Sequence, residues 1–384
     1  MKQIIDNKNY IVVTHNRVYG IPNALRDFLV EEKMPDVMFI AHPLDKISGN
    51  SFVEIFKDNK KIKHFELPRS QKIGPLNFIF DTVLTFLWVA ARFKKYDVFI
   101  GANNLNAFTG LILKKFGIVN RVIFYSMDFS LDRFKNRLLN KIYHGIEKYA
   151  IENSDDLWNV SPGIAYARQK YMQINPKKYP QKIIPTGVWN GIVKPLPFGK
   201  LKNHQLFFIG HLLEKQGVQI VLEAIPRIVK MMPNFKFIIV GSGEYKKNLE
   251  ELTSRLNIGK YVKFTGIIQD HRKVHEIMRE SACGIAPYKP ENDKTKNFTY
   301  YGDPGKIKDY LNMGLPVILT DVPHNAKDLE KYGCAVIISY SKESVAKAII
   351  KILKNKSNLK QYRKKAFKKA KDFDWHKIFK EVLY

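Results

Sequence analysis

Three short stretches hold residue types at spacings that suit phosphate and sugar chemistry. The first runs Asp303-Pro304-Gly305-Lys306-Ile307-Lys308-Asp309-Tyr310 and on to Gly314. Pro304-Gly305 predicts a turn, helical period starts at Lys306, and Gly314 stops it before the apolar run Leu315–Leu319. A lysine at an open helix start, among unpaired N–H donors, can neutralise a diphosphate. Asp309 lies one turn along on the same face and can accept bonds from the two hydroxyls of a ribose. A capped helix with a Lys–Asp ion pair would carry the same spacing. The second stretch is Ile239-Val240-Gly241-Ser242-Gly243-Glu244, directly after an apolar run. Its glycines let backbone N–H groups approach a phosphate. It lacks the third glycine of the dinucleotide fingerprint, so an ordinary strand-to-helix turn reads the same. The third stretch is Gly210-His211-Leu212-Leu213-Glu214-Lys215-Gln216-Gly217. If this loop faces the carboxyl ends of the strands, His211 and Lys215 hold negative charge; a solvated loop with a chance histidine is the plain alternative.

The elements that must position these residues follow from hydropathy. Short runs rich in Val, Ile and Phe predict strands at Tyr10–Thr14, Val37–Ala41, Val98–Gly101, Val122–Ser126, Asp156–Val160 and Lys182–Pro185. A second series follows at Gln205–Gly210, Phe235–Val240, Val262–Thr265, Gly284–Pro287, Pro316–Thr320 and Ala335–Ile338. Between them apolar residues recur three and four apart, as in Phe134, Leu138, Ile142, Ile146 and in Val221, Ala224, Ile228, Met232. Strand–helix alternation predicts parallel sheets with crossover helices. Two series of six strands predict two similar doubly wound domains. Gly187, Pro195 and Pro197 punctuate the stretch between them.

Composition narrows the class. The chain has 384 residues, 64 Lys+Arg against 36 Asp+Glu, and a net charge of +28. The excess is spread over both halves and invites anionic partners. Two cysteines, Cys283 and Cys334, exclude a disulfide scaffold and a cysteine zinc site. Asp6 and Asn7 interrupt what would be a signal peptide, so secretion is not expected. Pro75–Ala91 is the best candidate for a membrane span. Asn77, Asp81, Thr82 and Thr85 interrupt it, and a buried or half-buried helix is expected instead.

The second half resembles the nucleotide-sugar domain of retaining GT-B glycosyltransferases of the group 1 type. Four motifs carry the resemblance in order: Gly210–Gly217, Val240–Gly243, Phe264-Thr265-Gly266, and the helix Lys306–Asn312 ending in Gly314-Leu315-Pro316-Val317-Ile318. Pro185-Thr186-Gly187-Val188 resembles the segment that ends the family's first domain, and Trp375 opens what resembles its returning C-terminal helix. The chain departs from the family at three places. The usual loop arginine falls at His211, the usual lysine at Gln216, and the paired glutamates at Tyr301 and Asp309. Asp303 is the nearest acid to the first of that pair.

The resemblance implies an α/β fold of GT-B architecture, with two Rossmann-like doubly wound domains facing a central cleft. It implies an acceptor domain over 1–188, a linker over 189–204, a donor domain over 205–362, and a tail over 363–384 that crosses back. The implied reaction moves a sugar, with retention, from a nucleotide sugar, UDP- or GDP-linked, to a glycan or lipid-linked acceptor. A nucleotide-sugar epimerase of the same fold is the first alternative, and a basic nucleic-acid-binding protein, suggested by charge alone, the second. Asp128, His211, Lys215, Lys306 and Asp309 are the implied catalytic groups. Gly210, Gly241, Gly243, Gly266, Asp303 and Gly305 would bind the donor, and His15, Asn16, Gly20 and Asn103 the acceptor. Cations and helix N–H groups at the diphosphate would take the place of a metal, and no cofactor is implied.

The remaining charge sits on predicted amphipathic helices. Arg133, Lys135, Arg137 and Lys141 flank the stripe of Phe134, Leu138 and Ile142, and Arg363, Lys364, Lys365, Lys368 and Lys369 crowd the tail. Nucleic-acid-reading signatures are missing. An anionic membrane surface is the expected second partner, with plain solvated helix faces packed on a core as the alternative, and the protein cytoplasmic or peripheral on the inner face.

Overall fold

The computed structural model describes residues 8–16, 19–43, 49–68, 75–191, 194, 196–290 and 298–383. The chain divides into two compact units. The first comprises Met1–Pro185, Tyr301–Asp303 and Trp375–Tyr384; the second comprises Thr186–Tyr300 and Pro304–Asp374.

In chain order the first unit starts with β1 (Asn9–Asn16), α1 (Ile21–Glu31), β2 (Asp36–Pro43), β3 (Ser51–Lys57) and β4 (Lys60–Leu67). It continues with α2 (Pro75–Ala90), β5 (Tyr96–Ala102), α3 (Asn104–Lys115) and β6 (Val119–Ser126). It closes with α4 (Arg137–Asn153), β7 (Asp156–Asn159), α5 (Pro162–Met172) and β8 (Lys182–Ile183). The sheet order is β4-β3-β2-β1-β5-β6-β7-β8. From β2 to β8 neighbouring strands are parallel, so the crossover helices must cover the faces. All six strands expected in this half form.

The antiparallel hairpin β3–β4 was not expected from the strand–helix rhythm. Asp58 and Asn59 make its turn with φ of +47° and +67°, a geometry those two residue types tolerate. Lys60, Lys61 and Lys63 charge the free edge, which discourages pairing with another chain.

On one face Val89 of α2, Leu111 of α3 and Ile151 of α4 share a core with Ile11, Met38, Phe99 and Phe124. The three helices lie side by side. Thr109 donates to Thr82 at 3.3 Å, and Asn104 donates to the Tyr143 carbonyl at 3.1 Å. The helix α4 starts at Arg137, where Asn136 caps it by accepting from the Leu138 and Leu139 N–H groups. The apolar stripe of this helix does not face the core. Leu138 and Ile142 are exposed, and α4 buries Glu147, Ala150 and Ile151 instead. On the buried side Glu147 accepts from Arg168 of α5 at 3.0 Å.

The second unit runs β9 (Lys202–Ile209), α6 (Val218–Met231), β10 (Lys236–Val240), α7 (Lys246–Arg255), β11 (Val262–Gly266), α8 (His271–Glu280) and β12 (Ser281–Ala286). After α9 (Phe298–Tyr301) come α10 (Gly305–Asn312), β13 (Val317–Thr320), α11 (Ala326–Tyr332) and β14 (Ala335–Ile338). The helices α12 (Lys342–Lys354), α13 (Lys356–Ala370) and α14 (Trp375–Leu383) end the chain. The strand order, β11-β10-β9-β12-β13-β14, is all parallel and reverses beside β9. This is the Rossmann order, in which ligands sit at the carboxyl ends of the strands where the order switches. Val221, Ala224 and Ile228 of α6 are buried in the core, as their spacing predicts.

The expected segment borders shift. The stretch 189–204 runs into β9, which opens at Lys202. The tail does not leave the second unit at 363. Arg363 lies in α13, buried, donating to the Ser281 carbonyl at 2.9 Å. Burial lowers its pKa to about 10, so it is a packing residue and not part of a surface charge patch. Only α14 belongs to the first unit. There Phe379 meets Phe28 of α1 with ring centroids 5.4 Å apart, and His376 and Lys380 reach Glu31 and Glu32 at 3.0 and 3.1 Å.

Candidate active site

The second unit brings three loops together at the carboxyl ends of β9, β10 and β11. The Gly210 N–H donates to the Val240 carbonyl at 3.0 Å, and the Gly241 N–H to the Gly266 carbonyl at 2.9 Å. Gly210, Gly241 and Gly266 all take positive φ, at +147°, +134° and +71°. A Cβ on Gly241 would lie 2.0 Å from the Gly210 carbonyl oxygen, and one on Gly243 would lie 2.4 Å from the Leu212 carbonyl oxygen. These two glycines therefore let the loops touch each other. That is a different use from the phosphate approach expected of them.

Gly210 faces the chemistry. A Cβ there would meet the Lys306 ammonium at 2.7 Å. Lys306 occupies the first turn of α10, half-buried, and its Nζ donates to Gln216 Oε1 at 2.7 Å. The same Nζ sits 4.2 Å above the Phe208 ring and 5.2 Å from the Tyr288 ring. A ring face attracts the cation but does not replace water, so burial pulls the lysine pKa down to about 7. Asp309, one turn along, is pushed up to about 6 by burial, against the pull of Lys308. Among the described residues Lys306 and Asp309 do not pair with each other. The capped-helix ion pair is thus ruled out, and a cation and a carboxylate are each held in a costly environment.

The helix that carries them is fixed from behind. Tyr310 accepts from the Ile209 N–H at 3.0 Å and donates to the Ile285 carbonyl at 3.4 Å, tying α10 to the ends of β9 and β12. Gly305 opens α10, with Thr186 Cγ2 3.3 Å from where a Cβ would stand. His211 is exposed on the first loop. Lys215 lies half-buried in the turn Glu214–Gln216, its carbonyl accepting from Lys289 N at 3.0 Å. The residue missed at the sequence level is Gln216. Its signal was the family lysine that it replaces: an amide there accepts from the Lys306 ammonium, where a second ammonium would repel it.

Asp303 belongs to the first unit by its contacts. It is buried within the first unit, where its charge adds to burial in raising the Tyr125 hydroxyl. The neighbouring Tyr301 is also buried there, edge-on to Phe129 at 5.5 Å, with its carbonyl accepting from Ser161.

In the first unit the structure brings two of the expected acceptor residues into direct contact and adds partners that were not expected. His15 ends near the top of β1. Its Nδ1 lies 3.1 Å from the Asn103 amide and 3.2 Å from the Asn106 amide. Its Nε2 lies 3.1 Å from Asp81 of α2, and Asp81 also lies 3.4 Å from His42. Thr85, one turn on, meets His42 Nε2 at 2.7 Å. Asn103 in addition caps α3 by accepting from the Asn106 N–H. Gly20 caps α1 in an extended backbone conformation that any residue adopts, so glycine is not required there. The Asn16 side chain lies outside the described residues. Asp128 does not cap a helix; it pairs with Arg133 at 3.0 Å in a half-exposed contact.

Residues 203–355 match the family described as "Glycosyl transferases group 1". An uncharacterized glycosyltransferase of Methanocaldococcus jannaschii is 26% identical over 204 residues, which is 45% of this chain and 47% of that protein. The chain spans about half the length of the curated relatives it matches. Among solved structures, sucrose-phosphate synthase from Thermosynechococcus elongatus superimposes with a TM-score of 0.72 at 16% identity, covering 98% of this chain and 97% of that one. Anabaena HepE in complex with UDP superimposes at 0.68 and 13% identity, covering 97% and 98%. The fold class is that of these GT-B glycosyltransferases, two Rossmann-like α/β units in one chain, and residues 203–355 carry the group 1 glycosyltransferase match.

Proposed function

We propose that the chain is a retaining glycosyltransferase that moves a sugar from a nucleoside-diphosphate sugar to a glycan or lipid-linked acceptor. One observation carries this reading. Lys306 and Asp309 stand unpaired with each other at the start of α10, beside the Gly210 loop, inside the stretch that matches a glycosyltransferase family. Glycosyl transfer leaves negative charge on the departing diphosphate. In this reading Lys306, the α10 N–H groups, Lys215 and His211 stabilise that charge, and no metal or cofactor is needed. Asp309 accepts from the ribose hydroxyls. HepE binds UDP on a like fold, which makes uridine the first base to test. In the first unit, His15 with Asn103, and Asp128, are the groups assigned to the acceptor.

Isothermal titration with UDP and with GDP tests the donor half. Binding is expected for one of them, weakened about tenfold or more in Lys306→Ala and in Asp309→Ala, the scale of one lost charge-assisted contact. Failure of every nucleoside diphosphate to bind would remove the reading.

A further inference from the structure

The helix α2 is apolar on both its inward and its outward face. Its one charged residue, Asp81, is buried with Thr85 against His15 and His42. Leu84 and Val89 also face inward, yet its outward stripe is apolar too: Ile79, Val83 and Leu87, spaced four apart, are 62%, 50% and 56% exposed. A surface helix of an ordinary water-facing domain shows polar residues on that face.

The apolar surface continues beyond α2. Phe116, at the end of α3, is 68% exposed and stands edge-on to Phe86 of α2 with centroids 5.3 Å apart. Phe78 of α2 stacks edge-on against Phe134, which leads into α4, and Leu138 and Ile142 of α4 are exposed. The rim is basic. Lys115 borders Phe116, and Lys135, Arg137 and Lys141 border Leu138, all exposed. Along α2 no outward acid interrupts the stripe. Among the described residues no helix is long and apolar enough to cross a membrane, so the surface would lie on a bilayer and not span it.

We infer that the outward faces of α2 and the first turns of α4, with Phe116, form a docking surface for an anionic lipid bilayer. Apolar side chains at this spacing enter the acyl boundary while the flanking lysines and arginines remain at the headgroups. Charge complementarity selects this occupant: a chain of net charge +28 with a basic rim is repelled by a second copy of itself and attracted by acidic lipid. The inference deepens the proposed function, since it names the face at which a lipid-linked acceptor would be met. It also assigns Asp81 a positioning task. The same helix that touches lipid holds His15 from behind.

The test is co-sedimentation of the full chain with phosphatidylcholine vesicles, with and without phosphatidylglycerol, at physiological salt. The wild type is expected to bind only the anionic vesicles. Val83→Glu combined with Leu87→Glu should weaken that binding about tenfold or more. Lys135→Ala with Lys141→Ala should weaken it about fivefold or more, with the deficit shrinking as salt rises. Both positions pairs are exposed, and circular dichroism melts check that the variants fold. No binding to anionic vesicles, equal binding to neutral ones, or binding untouched by the glutamates would overturn the inference. So would a dimer seen by light scattering that the glutamates dissociate, because a second copy would then cover the face. UDP titration of the same preparations separates the two claims. UDP binding without vesicle binding sinks the docking surface alone; vesicle binding without UDP sinks the donor reading alone.

Discussion

Lys306 keeps its ammonium above the Phe208 ring with one amide oxygen as partner, and its pKa falls to about 7. The sign of the consequence is fixed. The group is charged below that value and loses its charge as pH rises through it. A diphosphate has completed its own ionisation by then, so its affinity should fall above pH 7, by up to about tenfold per unit. Arginine stays charged throughout. Calorimetric titration of UDP between pH 7 and 9 should show the fall in the wild type and a nearly flat profile in Lys306→Arg. A fall that persists in the arginine variant would place the titrating group elsewhere. That Lys306 and Asp309 share the first turns of one helix was legible from their spacing. Gln216 was not, because its role depends on a lysine that follows it by 90 residues and meets it only through β9 and α10. Nor does spacing along the chain show which unit a residue packs into: Asp303, three residues before Lys306, clusters with the first unit.

Glycines decide how the strand ends are assembled, and not every glycine does so. Gly241 combines φ of +134° with a Cβ position 2.0 Å from a backbone oxygen. Gly305 has a negative-φ helical start and only the Thr186 methyl at 3.3 Å. Gly241→Ala should therefore cost about 2 kcal/mol or more of stability in urea denaturation, and Gly305→Ala less than about 1 kcal/mol. Equal costs would mean that the loops are not packed as described. Twelve strands were legible because parallel strands buried on both faces read as continuous apolar runs. The β3–β4 hairpin was hidden because its outer strand alternates lysines with few large apolar residues. Which faces of α2 and α4 turn inward was not legible, for one physical reason. Periodicity assumes that apolar means inward, and here histidines on two strands and an arginine on α5 supply partners that draw Asp81, Thr85 and Glu147 in.

At the scale of the molecule the first unit is not one continuous length of chain. Its sheet is finished by residue 185, yet Trp375, Ile378 and Phe379 of α14 are buried in it against Phe28. Truncation after Asp374 should uncover about 3 large apolar side chains' worth of packing, each contributing roughly 1.5–3 kcal/mol when buried. Lower melting temperature and aggregation of the truncated chain are the expected outcome in a thermal scan with light scattering. A truncated chain that melts like the full one would show α14 to be dispensable. The division into two halves was legible from the strand series, whereas this return was placed too early because the lysines of α13 resembled a tail. The discontinuity also bears on biogenesis. On a ribosome the first sheet emerges early and must wait, with the Phe28 face uncovered, until the whole second unit has been synthesised. A chaperone that holds that face during translation would meet it only in nascent chains, never in the finished protein.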